Sequence, residues 1–308
     1  MNILLLFPMA DGQTGPAIKY AFEQLGHHVI AVDAKLEPQN SYPMSMQLDF
    51  DIVFCSRTKE LAEEIVKIKK RLPNAKTCMW NVDTRKDIDA WSHLFPLIKA
   101  VDYHFIVDYN FIESWRPFNP NTYWLPQGVQ DEVYNKPKSI SKIDKIKYAC
   151  DVCFCGGRSA AHSNYRAYFM GPIEQMNVDF KQWGCLGAPQ VYNEEHNKMV
   201  SLSKINIGCS AYPESGRCVS VRNYKILGAG GFLLTDYGDG LGELFPINGP
   251  ERVLDYYKTP EEIVEKIKYW LSHDDERKEI AEKGYNWVHT HARYEDRMKT
   301  ALQYMEEN

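Results

Sequence analysis

Ser220-Val221-Arg222-Asn223-Tyr224-Lys225-Ile226-Leu227-Gly228-Ala229-Gly230-Gly231-Phe232-Leu233-Leu234-Thr235-Asp236 reads as a helix, a tight turn and a buried strand in succession. Ser220 is placed to cap the helix, because its hydroxyl can accept from the free N–H groups of the first turn. Arg222 and Lys225 then stand three residues apart on one helical face. Gly230 and Gly231 end the helix where a left-handed backbone is needed. The apolar run that follows, closed by an acid, has the length of a parallel strand covered on both sides.

Working outward, the same rhythm fills the second half of the chain. Strands are predicted at 149–155, 180–183, 205–209 and 232–236, with helices at 163–175, 194–203 and 220–229 between them. A short segment at 252–256 precedes three helices, 260–271, 276–289 and 294–305. The first half repeats the pattern, with strands at 2–7, 28–33, 51–56, 76–82, 103–108 and 123–126 and helices at 15–25, 59–71 and 87–99. The fold class is therefore α/β, with two Rossmann-like, doubly wound parallel-sheet domains. Residues 136–147, with five lysines, one proline and two serines, read as a linker, or as a local basic patch. The domains are expected at 1–135, joined by a C-terminal helix at about 292–308, and at 148–291.

Composition fits that division. The 308 residues exceed what one core comfortably serves, and 44% apolar with 25% charged residues is ordinary for a globular protein. A formal charge of −5 gives no general attraction to nucleic acid or an anionic membrane. The apolar opening Ile3 to Phe7 is too short for a signal core or a membrane span, so a cytoplasmic protein is expected. Eight cysteines lie mostly in strand-like runs and are expected to be reduced. Cys150, Cys153 and Cys155, with His162 nearby, have a second reading as metal ligands, but no further cysteine pair completes a four-ligand set, and no metal site is assigned.

Ligands of open α/β sheets bind beyond the carboxyl ends of the strands, so those loops carry the site candidates. The first runs from Pro8 to Pro16. Its Gly12 and Gly15 let a backbone approach a phosphate or simply make a turn. At 80–85 an acid follows a strand, and Asp83 is either a catalytic acid or the cap of the next helix. Gly156, Gly157 and Arg158 follow the strand at 149–155, and a planar cation after two glycines suits a diphosphate. The densest set is Arg217, Ser220, Arg222, Tyr224 and Lys225, with Asp236 at the end of the next strand. Cations and N–H donors gathered in this way stabilise a leaving phosphate. The candidate catalytic residues are Asp83, Arg222 and Lys225. The candidate substrate-binding residues are Gly12, Gly15, Gly157, Arg158, Arg217, Ser220, Tyr224 and Asp236. The acidic loop 237–243 is a candidate for sugar contact or for a lid.

Several stretches of the second half resemble the CgeB-like spore-maturation glycosyltransferases, a branch of the GT-B superfamily. They are 150–157 (CDVCFCGG), 203–207 (SKINI), 220–236, Leu244-Phe245 and 276–284, through His291 and Arg297. In the first half the resemblance rests on 80–83 and on Leu125-Pro126-Gln127-Gly128. It implies two domains facing a cleft and a last helix that crosses back onto the first domain. It also implies a metal-independent, retaining glycosyltransferase that needs no cofactor besides its co-substrate, a nucleoside-diphosphate sugar, with Arg158 and Arg222 on the phosphates. The acceptor is open: glycan, protein, small molecule or modified nucleic acid. Lys225 stands where related retaining transferases carry a glutamate for the nucleotide ribose. A cation cannot accept those hydroxyl hydrogen bonds. Lys225 thus points to a phosphate contact, to a different donor, or to a silent GT-B protein that binds nucleotide or glycan without turnover.

Two other classes fit less well. A manganese-dependent GT-A enzyme needs an Asp-x-Asp at a strand end, whereas Asp49-Phe50-Asp51 precedes a strand and Asp87-Ile88-Asp89 opens a helix. A nicotinamide oxidoreductase needs the three-glycine fingerprint after the first strand, which is absent.

Overall fold

The structure is a computed structural model that describes residues 1–85, 87–157, 163–210 and 217–307. The chain divides into two compact units, residues 1–127 with the last helix Tyr294–Glu307, and Gly128–Arg293.

Unit 1 carries six strands, β1 (Asn2–Phe7), β2 (His28–Asp33), β3 (Ile52–Ser56), β4 (Lys76–Asn81), β5 (Tyr103–Ile106) and β6 (Thr122–Trp124), in the order β2-β1-β3-β4-β5-β6. All pairings are parallel. Helices cover such a sheet on both faces, which is why β1 is a continuous apolar run with Ile3 to Leu6 wholly buried. The helix Leu61–Arg71 shows how the covering layer is specified. Leu61, Ile65 and Ile68 face the core, with Glu63 and Glu64 in the first turn and Lys69, Lys70 and Arg71 in the last, each sign matching the helix dipole. The last helix belongs to this unit, as the resemblance implies. Tyr294 donates to Gln127 Oε1 at 2.6 Å and Arg297 Nε donates to Gln127 O at 3.0 Å.

Unit 2 carries β7 (Cys150–Cys155), β8 (Phe180–Trp183), β9 (Ser203–Ile207), β10 (Leu233–Asp236) and β11 (Asp255–Tyr257), parallel throughout and ordered β11-β10-β9-β7-β8. In each sheet the strand order reverses beside the first strand, between β1 and β3 and between β7 and β9. The loops leaving those strands diverge there and open a crevice.

The sequence-based elements recur with local differences. The segment read as a linker holds a helix, Lys142–Tyr148, started by a reciprocal cap in which Ser141 and Asp144 each take the other's backbone N–H. Its apolar pattern is hidden because Ile143 and Ile146 point to solvent, and the chain passes from one unit to the other ahead of it, at 127–128. The helix expected at 87–99 is a 3₁₀ turn, Asp89–Leu94, followed by a short α-helix, Phe95–Ala100, with Pro96 in its first turn. Cys55, Cys78, Cys150, Cys153, Cys185 and Cys209 are buried, and no described cysteine is in a disulfide. No described helix is long and apolar enough to cross a membrane.

His104 lies on β5, next to the edge strand β6, wholly buried, with its Nε2 lacking any hydrogen-bond partner and its ring edge-on to Trp115 at 5.2 Å. Burial pushes it down from 6.5 to about 3. In the fold it is therefore neutral, while the unfolded chain takes a proton as pH falls through 6.5. Stability is lost progressively between pH 6.5 and pH 3. Thermal melts should show a transition that drops by several degrees over this interval, and His104→Leu should flatten that drop. A melting temperature of the variant that follows the same pH profile as wild type would contradict the assignment.

Candidate functional site

The carboxyl ends of β7 and β9 in unit 2 are bridged by one side chain. Arg222, the second residue of the helix Val221–Gly228, donates from Nε to Cys155 O at 2.6 Å and from Nη1 to Cys209 O at 2.7 Å. Its guanidinium also lies 5.0 Å from the centre of the Phe154 ring. Ser220 caps this helix as expected, accepting from Arg222 N at 3.3 Å. At the other end, Gly230 adopts a left-handed backbone with φ +77°, and its N–H and that of Gly231 return to Leu227 O and Ile226 O.

A second cation joins from the helix Ser163–Glu174. Arg166 is almost wholly buried, donates from Nη1 to Gly157 O, and keeps an Nε with no partner. Neither Arg166 nor Arg222 forms an ion pair with an acid among the described residues. Half-buried Lys225, one turn after Arg222, places Nζ 4.7 Å over the Tyr134 ring.

The electrostatics show how closely these groups share the space. Loss of water and then the Arg222 charge push Arg166 down to about 10. Loss of water pushes Lys225 down to about 8, against an opposing effect of Cys155, with Arg222 adding a smaller push downward. His196, on the helix Asn193–Leu202, is pushed down to about 3 by burial, then by Lys225 and Arg222. Positive groups that disfavour one another at a strand switch point are arranged for an anion.

Not every expected residue belongs to this cluster. Asp236 is buried and fully used, accepting from Ser210 N at 2.8 Å, Tyr165 at 3.2 Å and Thr235 Oγ1 at 3.1 Å, so it fixes the loop after β9. Arg217 pairs with Glu243 at 3.1 Å and ties its own loop to the acidic segment 237–243. Tyr224 is wholly buried with its ring packed on Phe245 at 5.0 Å, which makes it a core residue on the face opposite Arg222 and Lys225. Gly157 supplies a carbonyl to Arg166. Arg158, and Glu214 to Gly216 of the dense constellation, lie outside the described residues. Arg166 was not anticipated: a charged residue in a helix reads as a surface position, and only the tertiary fold buries it.

In unit 1 the loop after β1 is shaped by Gly12, at φ +76°, and by Gly15, where a Cβ would stand 2.3 Å from Pro8 O. Asp33 orders the same loop, accepting from the N–H groups of Met9, Lys35 and Leu36 at 3.1, 2.9 and 3.2 Å. Asp83 is not a helix cap; it pairs with Arg57, whose guanidinium lies 5.2 Å from the Trp91 ring centre. Beside it, burial raises the pKa of Asp108, which accepts from Thr84 Oγ1 at 2.7 Å. Among the described residues, no group of three or more His, Cys, Asp or Glu is placed to hold a metal ion.

Comparison with solved structures places this architecture among the GT-B glycosyltransferases. The chain is similar to HepE (Alr3699) from Anabaena, crystallised in complex with UDP-glucose, with a TM-score of 0.67, 9% identity and 100% of each chain covered. It is also similar to a glycosyltransferase from Rickettsia africae (TM-score 0.62, 13% identity, 99% of this chain and 97% of that one). The apo lipopolysaccharide outer core galactosyltransferase WaaB follows (TM-score 0.53, 11% identity, 98% and 99%). At such identities the likeness establishes the fold alone. Residues 158–303 match a family model described as glycosyl transferase-like. The match covers just under half of the chain and contains Arg166, Arg222 and Lys225. Residues 158–303 are thus glycosyl transferase-like, in a chain with the GT-B fold. No curated protein sequence matches the chain.

A pair of adjacent glycines tests the local geometry. A Cβ on Gly156 would stand 2.3 Å from Arg222 Nη2, a nitrogen held in place by the two carbonyl bonds, whereas one on Gly157 meets nothing within 4 Å. Gly156→Ala should cost about 1–3 kcal/mol through this overlap, and Gly157→Ala should be close to neutral in thermal or urea melts. Equal effects of the two substitutions would show that Arg222 is not fixed as described.

Proposed function

We propose that the protein is a glycosyltransferase that moves a sugar from a nucleoside-diphosphate donor, without a metal ion and with retention at the anomeric carbon. The observation that carries this reading is the mutually disfavoured cluster of Arg166, Arg222 and Lys225 at the β7–β9 switch point. Its neighbours offer it backbone carbonyls and aromatic faces, and among the described residues Arg166 and Arg222 have no carboxylate partner. A diphosphate neutralises such a cluster. As the bond to the sugar breaks, charge grows on the leaving phosphate, and fixed cations beside the N-terminus of the helix Val221–Gly228 stabilise that charge. In this scheme the arginines perform the role a divalent cation has in metal-dependent transferases. The solved UDP-glucose and UDP complexes of HepE make uridine the first base to try. The resemblance to CgeB-like enzymes is the ground for retention, and the short apolar opening Ile3 to Phe7 is the ground for a cytoplasmic setting. In unit 1 the Arg57–Asp83 pair is the candidate for acceptor contact.

Lys225 also supports a second reading, nucleotide binding without turnover, since no acid stands at that position for the ribose. The two readings separate in one experiment. A ligand at about 100 times its Kd stabilises the native state by about 2.7 kcal/mol. Thermal shift with UDP, GDP, ADP and their glucose esters, without added metal, should give a rise of several degrees for one base family. Arg166→Ala and Arg222→Ala, each compared with its own unliganded melt, should lose most of that rise. Sugar release from the stabilising donor marks the enzyme, and stabilisation without release marks the silent protein. An undiminished shift in both variants would remove the diphosphate assignment.

A further inference from the structure

The basic segment that leads into the helix Lys142–Tyr148 has an outward side that the candidate site does not use. Ile146 and Ile143 are 81% and 75% exposed, the two most exposed large apolar side chains among the described residues, and Ile140 is exposed just ahead of them. Three residues apart on a helix, Ile143 and Ile146 share one face. The inward face is fully engaged with unit 2: Tyr148 is buried and donates to Glu195, and Asp144 is buried and pairs with Lys198 at 3.4 Å. Lys181, on the edge strand β8, fastens the end of the helix by donating to Lys147 O at 3.0 Å. The helix is thus anchored while its isoleucines project from the fold.

Charge is gathered on the same outward side. Residues 136–149 hold five lysines and one acid, Asp144, which is turned inward. Lys136 and Lys147 pair with Glu282 and Glu195. Lys138, Lys142 and Lys145 are exposed and form no ion pair among the described residues. Lys142 and Ile146 stand four residues apart, so the aliphatic stem of the lysine has the isoleucine beside it while the ammonium reaches outward. The whole chain has a formal charge of −5, so attraction to an anionic surface has to come from this patch itself.

We propose that residues 138–147 dock unit 2 on an anionic lipid bilayer. Ile140, Ile143 and Ile146 enter the headgroup layer, and Lys138, Lys142 and Lys145 pair with lipid phosphates. Side chains this exposed project instead of lining a groove, and a soft, negatively charged layer receives them without needing a matching cavity. The helix runs into the amino end of β7, whereas Arg222 bridges the carboxyl ends of β7 and β9. Docking therefore uses the other end of the unit 2 sheet, and the inference is independent of the diphosphate reading.

The test is co-sedimentation of the full chain with vesicles of phosphatidylcholine, alone or mixed with phosphatidylglycerol. Wild type should pellet with the mixed vesicles at about 0.1 M salt and be largely released at about 1 M salt, where charges are screened within a few ångströms. Binding to the neutral vesicles should be about a hundredfold weaker, from about fivefold for each of the three lysines. Lys142→Gln with Lys145→Gln should weaken binding to the mixed vesicles about twenty-five-fold. Ile143→Ser with Ile146→Ser should weaken it about tenfold at unchanged charge. All four positions are exposed, so thermal melts of both variants should match wild type and show that lost binding is not lost fold. Absence of wild type from the mixed-vesicle pellet, equal binding to the two kinds of vesicle, or binding that survives in both variants overturns the proposal. Dimers in sedimentation velocity that Ile143→Ser with Ile146→Ser abolishes, without vesicle binding by wild type, would overturn it too and give the face to a second copy of the chain.

Discussion

The two hydrogen bonds from Arg222 to the carbonyls of Cys155 and Cys209 set the geometry on which the rest of the site depends. At a switch point the strands on either side send their loops in opposite directions, and nothing in the sheet ladder holds their ends at a fixed separation. A planar guanidinium with donors at fixed angles does so, and it holds its own helix to both strands at once. Gly156 is small because this guanidinium passes over it, and Phe154 supplies the ring face beneath. Gly208, on the same edge, leaves room in the same way: a Cβ there would stand 2.3 Å from Thr235 Oγ1.

The arrangement trades stability for readiness. Arg166 is buried with its Nε unpaired, and burial disfavours the charged form of Lys225. Each costs free energy in the empty protein, and a core of apolar residues would avoid the cost. An anion that enters finds donors and charges already aimed, so little reorganisation remains when charge develops on it. Arg222 thus has a structural part, joining its helix to both strand ends, and in the proposed function the cluster is also the anion site. Asp236, by contrast, accepts from Ser210, Tyr165 and Thr235 at once, and its role is to hold the loop after β9.

Much of this was legible in the residues. Apolar runs of strand length, interrupted by helical spacing, gave both sheets, because parallel strands are buried on both faces and leave no alternation to confuse them. Ser220 and the Gly230–Gly231 pair marked the ends of the central helix through local chemistry alone. The helix Lys142–Tyr148 escaped because Ile143 and Ile146 face solvent and its start depends on a cap between Ser141 and Asp144. Tyr224 was placed with the ligand contacts because sequence proximity to Arg222 does not reveal which face of a helix is buried. Arg166 was missed for the opposite reason: its partners lie on a different element, and a lone arginine in a helix carries no mark of burial. Asp83 showed its acid but not its partner, since Arg57 is brought to it only by the pairing of β3 with β4.

The most direct test of the central claim is a crystal structure of the protein soaked with UDP. The account places the diphosphate at the carboxyl ends of β7 and β9, with its oxygens within hydrogen-bond distance of Arg166, Arg222 and Lys225 and of the first N–H groups of the helix Val221–Gly228. Diphosphate density on another surface, with the three cations left untouched, would contradict it.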